Sequence, residues 1–394
     1  MAITDVKQEF WGDLQADLYV SNTAVYLANQ SLSELVSNTG YKAHRPILSH
    51  PQVGTYTPHS DISFEQKSAS KETLEVDTFE YAAEDIDITE SKQSPYDLLG
   101  HSLTSIRKGL MNGVEQKYLS EITNAQHNIN GGTALEVTSA NILDILEEAE
   151  GKLGAFDAPY ETAMRACVLG PRTVARLRRA KSDRETRLGD SVLSNGVIGP
   201  WQGWTVVQSN NLPYSAVLGL ATDPTNGDTV TIGGVTFEFQ DDLDNVTDGY
   251  VGVLCGTNVD TTRANLAACI NDSGTAGTNY VQMGAKANLI IRRKRRITAT
   301  NSNSADTLTI AGFGDIAVSS DLTDGTDAWT SQEQESVFMI RGSIDMVLQF
   351  MDLKVGDKEK GFADLPKGII GVGTKTFTDG SYLMVNLTQD VSDF

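Results

Sequence analysis

Residues 203–213 read Gly203-Trp204-Thr205-Val206-Val207-Gln208-Ser209-Asn210-Asn211-Leu212-Pro213. The β-branched run Thr205-Val206-Val207 predicts a strand. The Ser-Asn-Asn-Leu-Pro behind it predicts the strand's end, because Ser and Asn bond to nearby backbone and Pro cannot donate to a ladder. Upstream, Met164 to Gly170 reads as a short buried strand, and Pro171 opens a helix at its favoured first position. Asn195-Gly196 marks a turn. Before these lies an amphipathic helix with Ile142, Ile145, Leu146, Ala149 and Leu153 on one face and Gly154 near its end. Residues 139–214 are thus expected to alternate helix and strand. From Ser336 the same apolar style returns: Val337 to Ile340 and Ile344 to Leu353 predict strands with a bulge at Gly342, and Asp379-Gly380 predicts a hairpin turn before Tyr382 to Leu387. The strand ending near Pro213 and the strand starting near Val337 belong together if residues 216–332 are an insertion between them.

The composition of 216–332 supports that division. It is rich in Thr, Asn, Asp and Gly, with 14 acids and 7 bases. Thr229 to Ile232, Gly233-Gly234 and Val235 to Phe239 form a hairpin signal whose two-residue turn needs positive φ. A short helix is expected at Thr262 to Asn271, and strands at Leu289 to Thr300 and Thr307 to Ile310. The region is expected to be an independent β-rich module.

The N-terminal half has a different grammar. Phe10, Trp11, Leu14, Leu18 and Tyr19 fit one helical stripe within an arm ending near residue 44. Pro46, Pro51 and Pro58 exclude helix from the stretch that follows. Ile62 to Phe64 and Leu74 to Val76 read as strands of a long loop over 45–93, with Gln66 to Lys71 at its tip. So long a hairpin with so few apolar residues cannot build a core of its own, so it should pack on a neighbouring subunit. Ser94-Pro95-Tyr96-Asp97 then predicts the start of the chain's best helix, capped by Ser94. Leu99, Leu103, Ile106, Leu110, Val114, Tyr118 and Ile122 give it a stripe that runs to about residue 127, or about 50 Å. Gly100, Gly109 and Gly113 weaken it, and close approach of another backbone is the expected return.

Composition narrows the function. The 394 residues carry 31 Lys+Arg and 52 Asp+Glu, a net charge of −21, so the chain as a whole cannot bind nucleic acid by releasing phosphate counterions. No apolar run approaches the ~18 residues of a membrane span. The first residues lack the charged and apolar regions of a secretory signal. Three Cys without CxxC spacing argue against a disulfide framework or a structural zinc. Gly368 to Thr376 resembles a phosphate loop, but Thr374 separates the last Gly from Lys375, so a Gly-rich strand and turn is expected. His44, His50 and His59 read as solvated loop residues. The acidic stretches at Asp241 to Asp248 and Asp321 to Asp327 lack the order of an EF-hand and read as turns. No GxSxG or HExxH is present. We expect no catalytic residues, no metal and no cofactor.

Two basic clusters stand out. Arg172, Arg176, Arg178, Arg179, Lys181, Arg184 and Arg187 cover the helix opened by Pro171 and its exit, either as a solvated face or as a surface that pairs with acidic neighbours in an assembly. Arg292-Arg293-Lys294-Arg295-Arg296 falls in an expected strand, whose alternation would split it between two faces.

Taken in order, the arm, the long loop, the capped helix, Cys167-Val168-Leu169-Gly170-Pro171, Asn195-Gly196-Val197-Ile198-Gly199 and the strand ending in Ser209-Asn210-Asn211-Leu212-Pro213 resemble tailed-bacteriophage major capsid proteins of the Hong Kong 97 type. The resemblance covers residues 1–215 and 333–394. It implies an α+β subunit with an N-terminal arm (1–44), an extended loop (45–93), a peripheral domain on the long spine helix (94–135, completed by strands after 333) and an axial domain (136–215 and 333–394). Residues 216–332 depart from the family plan and resemble a β-rich insertion domain. The resemblance further implies a virion shell of hexamers and pentamers, assembled in the host cytoplasm around double-stranded DNA held by weak contacts. Scaffolding, portal and decoration proteins are the other implied partners, and no membrane is involved. Some family members crosslink neighbouring loops through a Lys–Asn bond, for which Lys67 and Lys71 lie at a suitable tip. With Arg172, Arg176 and Arg179 they are the candidate intersubunit contacts. The competing reading is a surface- or carbohydrate-binding adhesion protein acting through the β-rich module.

Overall fold

The computed structural model describes residues 24–36, 40–48, 51, 53–94, 97–155, 164–182, 203–324, 327–358 and 362–392. The stripe from Phe10 to Tyr19, Pro95, the Asn195-Gly196 turn, His50, Arg184 and Arg187 lie outside these residues. After two short helical turns, the main elements in chain order begin with β1 (Lys42–Leu48), β2 (Ala69–Glu75), β3 (Thr78–Ala83), the long helix α1 (Leu98–Ser120) and α2 (Ile142–Ala155). They are followed by β4 (Arg165–Leu169), α3 (Pro171–Ser182), β5 (Thr205–Gln208) and β6 (Pro213–Gly219). The middle region holds β7 (Thr229–Ile232), β8 (Val235–Gln240), β9 (Val251–Leu254), α4 (Val259–Asn271), β10 (Thr298–Ser302), β11 (Thr307–Phe313) and β12 (Val318–Asp321). The chain closes with β13 (Ala328–Ile340), β14 (Asp345–Asp357), β15 (Ala363–Lys375) and β16 (Met384–Asp390).

Helix and sheet are mixed throughout. The central sheet runs β10-β11-β6-β13-β16, with β4 pairing to the far half of β13 and β5 pairing to β4. β14, β15 and β3 form a second antiparallel sheet. A third sheet, β9-β8-β7-β12, belongs to the middle region.

The long helix joins the first two sheets. Ile106, Leu110 and Val114 pack on Met346, Ile370 and Val372 of the second sheet. Tyr118, Leu119 and Ile122 enter a cluster with Val168, Val337, Met339 and Leu212 of the central sheet. The helix is 23 residues long, about 35 Å, and is capped by Asp97, whose side chain accepts from Gly100 N at 3.0 Å. The expected cap at Ser94 instead ends a separate short helix, Ile88–Gln93. At its other end a 3-10 turn, Glu121–Asn124, stops α1 short of residue 127.

Close approach occurs at strand glycines and, on the helix, at Gly113, where a Cβ would meet the side chains of Glu80 and Arg296. A Cβ on Gly368 would lie 2.9 Å from both Ile106 Cγ2 and Leu110 Cδ1, and one on Gly373 would run into the backbone of Glu75, whereas Gly109 faces open space. Gly368 to Thr376 therefore belongs to a strand pressed under the long helix and to its exit, and opens no helix that would hold a phosphate.

Several elements match their residues' patterns. α2 buries all five expected apolar side chains, β4 is buried throughout, and Gly233 and Gly234 carry φ of 60° and 82° between β7 and β8. Others do not. Ile62 to Phe64 is no strand, Gly342 makes the turn between β13 and β14, and Asp379-Gly380 lies in a helical turn, Thr378–Ser381. Leu289 to Lys294 is helical, continuing the Ala285–Asn288 turn, so of the expected strand only its last three residues, from Thr298 to Thr300, are extended, at the start of β10.

The middle region is less separate than its composition suggests. The expected boundary at residue 216 falls inside β6, which pairs with β13 on one side and β11 on the other. β10 and β11 thus extend the central sheet, and one apolar cluster runs from Tyr214, Ala216 and Leu218 to Phe237, Phe239 and Leu266.

Candidate assembly surfaces

β1 and β2 form an antiparallel hairpin in register from Lys42 opposite Glu75 to Leu48 opposite Ala69. Its base is apolar: Ala43, Leu74 and Val76 pack with Val36, Val347 and Phe377. Beyond Leu48 and Ala69 the chain makes an irregular loop, whose described residues present Val53, Tyr56, Ile62 and Phe64 to solvent, Phe64 with 90% of its surface exposed. The tip is this loop, not Gln66 to Lys71. Lys71 is an exposed strand residue opposite Pro46, and Lys67 is exposed just before β2.

A charged knot lies at the hairpin base. Asp345, 2% exposed, accepts from Asn29 Nδ2 at 2.6 Å and lies 3.8 Å from Arg45 Nη1, while Arg45 also pairs with Asp379. Burial pushes the Asp345 carboxyl up to about 6, against the pull of Arg45, with the Asp379 charge adding to the rise and the Asn29 hydrogen bond opposing it. None of these pairings was legible in the sequence, because each partner comes from a different segment.

The second sheet has one face under α1, and the other presents exposed apolar side chains among the described residues. Along β3 the inward Glu80 and Ala82 alternate with Phe79 and Tyr81, which are 56% and 79% exposed, and Ile369 stands opposite Tyr81 on β15.

The arginines of α3 divide. Arg172 Nε donates to Asp315 at 2.6 Å, and Arg176 donates to the carbonyl of Val137, so both act within the subunit. Arg178 and Arg179 are exposed on the solvent face.

Ser209-Asn210-Asn211 has a specific structural role. Asn211 Nδ2 donates to Asn112 Oδ1 at 2.8 Å and to Glu115 Oε2 at 2.7 Å, and Ser209 Oγ donates to Glu115 Oε1 at 3.0 Å. Gln116 Nε2 donates to the carbonyl of Lys294 at 2.9 Å. The loop after β5 is thereby bolted to the buried flank of α1, since carboxylate hydrogen bonds of this kind are strong away from water. Asn112, Glu115 and Gln116 were missed in the sequence. The available signal was three buried-side polar residues flanking an otherwise apolar stripe.

The second basic cluster is largely consumed internally. Arg292 pairs with Asp272 at 3.0 Å and donates to the carbonyl of Cys269, Arg295 donates to the carbonyls of Asn210 and Phe313, and Arg296 pairs with Glu80. It forms no strand, and Arg292, Arg293 and Arg296 line one hollow with Glu80.

Cys167, Cys255 and Cys269 are free thiols, each pushed up to about 12, chiefly by burial. Asp228 and Asp327 accept from backbone amides of Thr225, Thr323, Ala221 and Thr222, so these acids hold turns. His44 lies 2.9 Å from Thr73 Oγ1 on the hairpin. Among the described residues no group of three or more His, Cys, Asp or Glu could hold a metal, and no helix is long and apolar enough to cross a membrane.

No family model matches the chain, and no curated protein matches its sequence. Solved structures do match it. A structure of Mycobacterium phage Che8 superposes with a TM-score of 0.59 at 13% identity, covering 98% of each chain. The capsid of the cyanophage P-SCSP1u gives 0.55 at 11%, covering 98% of this chain and 93% of that one. The mature capsid of bacteriophage PhiM1 gives 0.52 at 12%, covering 98% and 92%. Over nearly its whole length the chain has the fold of a phage capsid subunit.

Proposed function

We propose that this chain is the major capsid protein of a tailed bacteriophage, a non-catalytic subunit that assembles into hexamers and pentamers of a closed shell around double-stranded DNA. The observation that carries the reading is the hairpin. It extends from a small apolar base, exposes Phe64, Ile62, Tyr56 and Val53, and buries none of the described residues of its tip. Such a segment is stabilised by burial against another molecule, and a shell provides a neighbour on every side.

In this reading the subunit follows the Hong Kong 97 plan. The arm is 1–44 and the extended loop 45–93; α1 is the spine of a peripheral domain completed by β14 and β15. α2, β4, α3, β5 and the return strands belong to the axial domain, and residues 216–332 are an insertion grafted onto the central sheet. Lys67, Lys71 and Arg179 are exposed residues available for contacts between subunits. The net charge of −21 suits a container, because an acidic lining repels packaged DNA and lets it move, while scattered Lys and Arg make weak contacts. Assembly in the host cytoplasm, with scaffolding, portal and decoration proteins as partners, completes the proposal. Electron micrographs of the purified protein test it: closed shells of uniform diameter are expected, and small oligomers at every concentration would reject it.

A further inference from the structure

The run Arg292 to Arg296 is explained neither as a nucleic-acid patch nor by the shell itself, and its geometry is specific. Arg296 Nη1 and Nη2 meet Glu80 Oε1 and Oε2 at 2.6 and 2.7 Å, a two-pronged pairing of a residue from the middle region with one from β3. The pair crosses α1 at Gly113, where an added Cβ would collide with both the Glu80 carboxylate and the Arg296 guanidinium. Arg296 takes a φ of 48°, a left-handed conformation that a residue with a side chain adopts only when its surroundings enforce it. One turn along the helix, Gln116 fastens to the carbonyl of Lys294 at 2.9 Å. Arg295, the next residue, reaches the carbonyl of Asn210, beside the Asn211 that holds Glu115. A helix-weakening glycine, a strained arginine and a bidentate ion pair converge on one crossing.

Glu80 is connected to the hairpin. β3 begins three residues after β2 ends, and Glu80 lies opposite Ile370, whose strand also carries Gly373 against the backbone of Glu75. We propose that residues 285–296 form an intramolecular latch that clamps Glu80 across Gly113 and so fixes the second sheet, and the hairpin it carries, relative to the central sheet. The middle region is then an internal brace. Resting on the shell reading above, the latch also sets the angle at which neighbouring subunits meet, and therefore the curvature of the particle.

Hydrogen exchange on the purified full-length protein tests the latch without reference to assembly. Arg296→Ala and Arg296→Lys, the second keeping the charge but losing the fork, should speed exchange in residues 78–83 by about tenfold or more, the size expected for lost charge-assisted bonds. The reversed pair Glu80→Arg with Arg296→Glu should recover most of that protection if the pairing itself matters. Unchanged exchange over 78–83 in both single variants overturns the latch. So does faster exchange confined to 216–332, which would mean that Arg296 supports only its own region. Particle diameter by electron microscopy is the separate readout: broadened or altered diameters in the single variants support control of curvature, and unchanged diameters remove that part. If the wild-type chain forms no shells while the exchange coupling holds, the shell reading fails and the latch stands.

Discussion

Asn211 Nδ2 lies 2.7 Å from Glu115 Oε2, and through that bond the loop after β5 holds the middle of the long helix. The carboxylate is 1% exposed, and Asn211, Ser209 and the amide of Ala24 donate to it. Replacing Asn211 by Ala removes donors to both Glu115 and Asn112 and leaves their acceptors buried. We expect a loss of about 2–3 kcal/mol in urea unfolding of the subunit. Asn211→Asp should cost more, because it places a second carboxylate beside the first.

Asp345 gives the hairpin base a pH dependence with a definite sign. Its carboxyl titrates near 6 when folded, above the ordinary 3.8. Between those values the folded state binds more protons than the unfolded state, so this group's contribution to stability falls as pH rises from about 4 through 6. Asp345→Asn keeps an oxygen for Asn29 and removes the titration. The difference in Tm, wild type minus variant, should therefore fall between pH 5 and pH 7. A difference that is flat or rises over this range would contradict the assignment.

The glycines of β15 should be ranked by what they touch. Gly368→Ala presses on the ends of Leu353, Ile106 and Leu110, which can shift, and should cost about 1–3 kcal/mol. Gly373→Ala meets the backbone of Glu75, which cannot turn aside, and should cost more. Chemical denaturation of the two variants gives the order directly.

The loop tip separates folding from assembly. Phe64 is 90% exposed, so Phe64→Ser should leave subunit stability within about 0.5 kcal/mol. The same change should reduce or abolish large particles in sedimentation. A clear loss of subunit stability would mean that the tip packs on its own chain.

Local periodicity carried most of the fold. Ile142 to Leu153 and Arg165 to Leu169 show their faces in sequence because one helix stripe or one short buried run decides each of them. Arg292 to Arg296 misled for an equally physical reason. Strand alternation was inferred from flanking apolar residues, but the segment follows a helical turn at Ala285–Asn288 and spends its charges on Asp272, Glu80 and carbonyls far away in the chain. The distinct composition of 216–332 suggested independence, whereas pairing of β6 with both β11 and β13 is a long-range fact that composition does not encode. Of the proposed contacts, Lys67, Lys71 and Arg179 were legible as exposed charge. Arg172 and Arg176 were not separable from them until Asp315 and the Val137 carbonyl were seen beside them.

The most direct measurement is a density map of the assembled particle at side-chain detail. The shell account predicts a closed particle in which Val53, Tyr56, Ile62 and Phe64 are buried against a neighbouring copy of the chain. A particle with these side chains still facing solvent, or a protein that forms no closed particle at all, would contradict it.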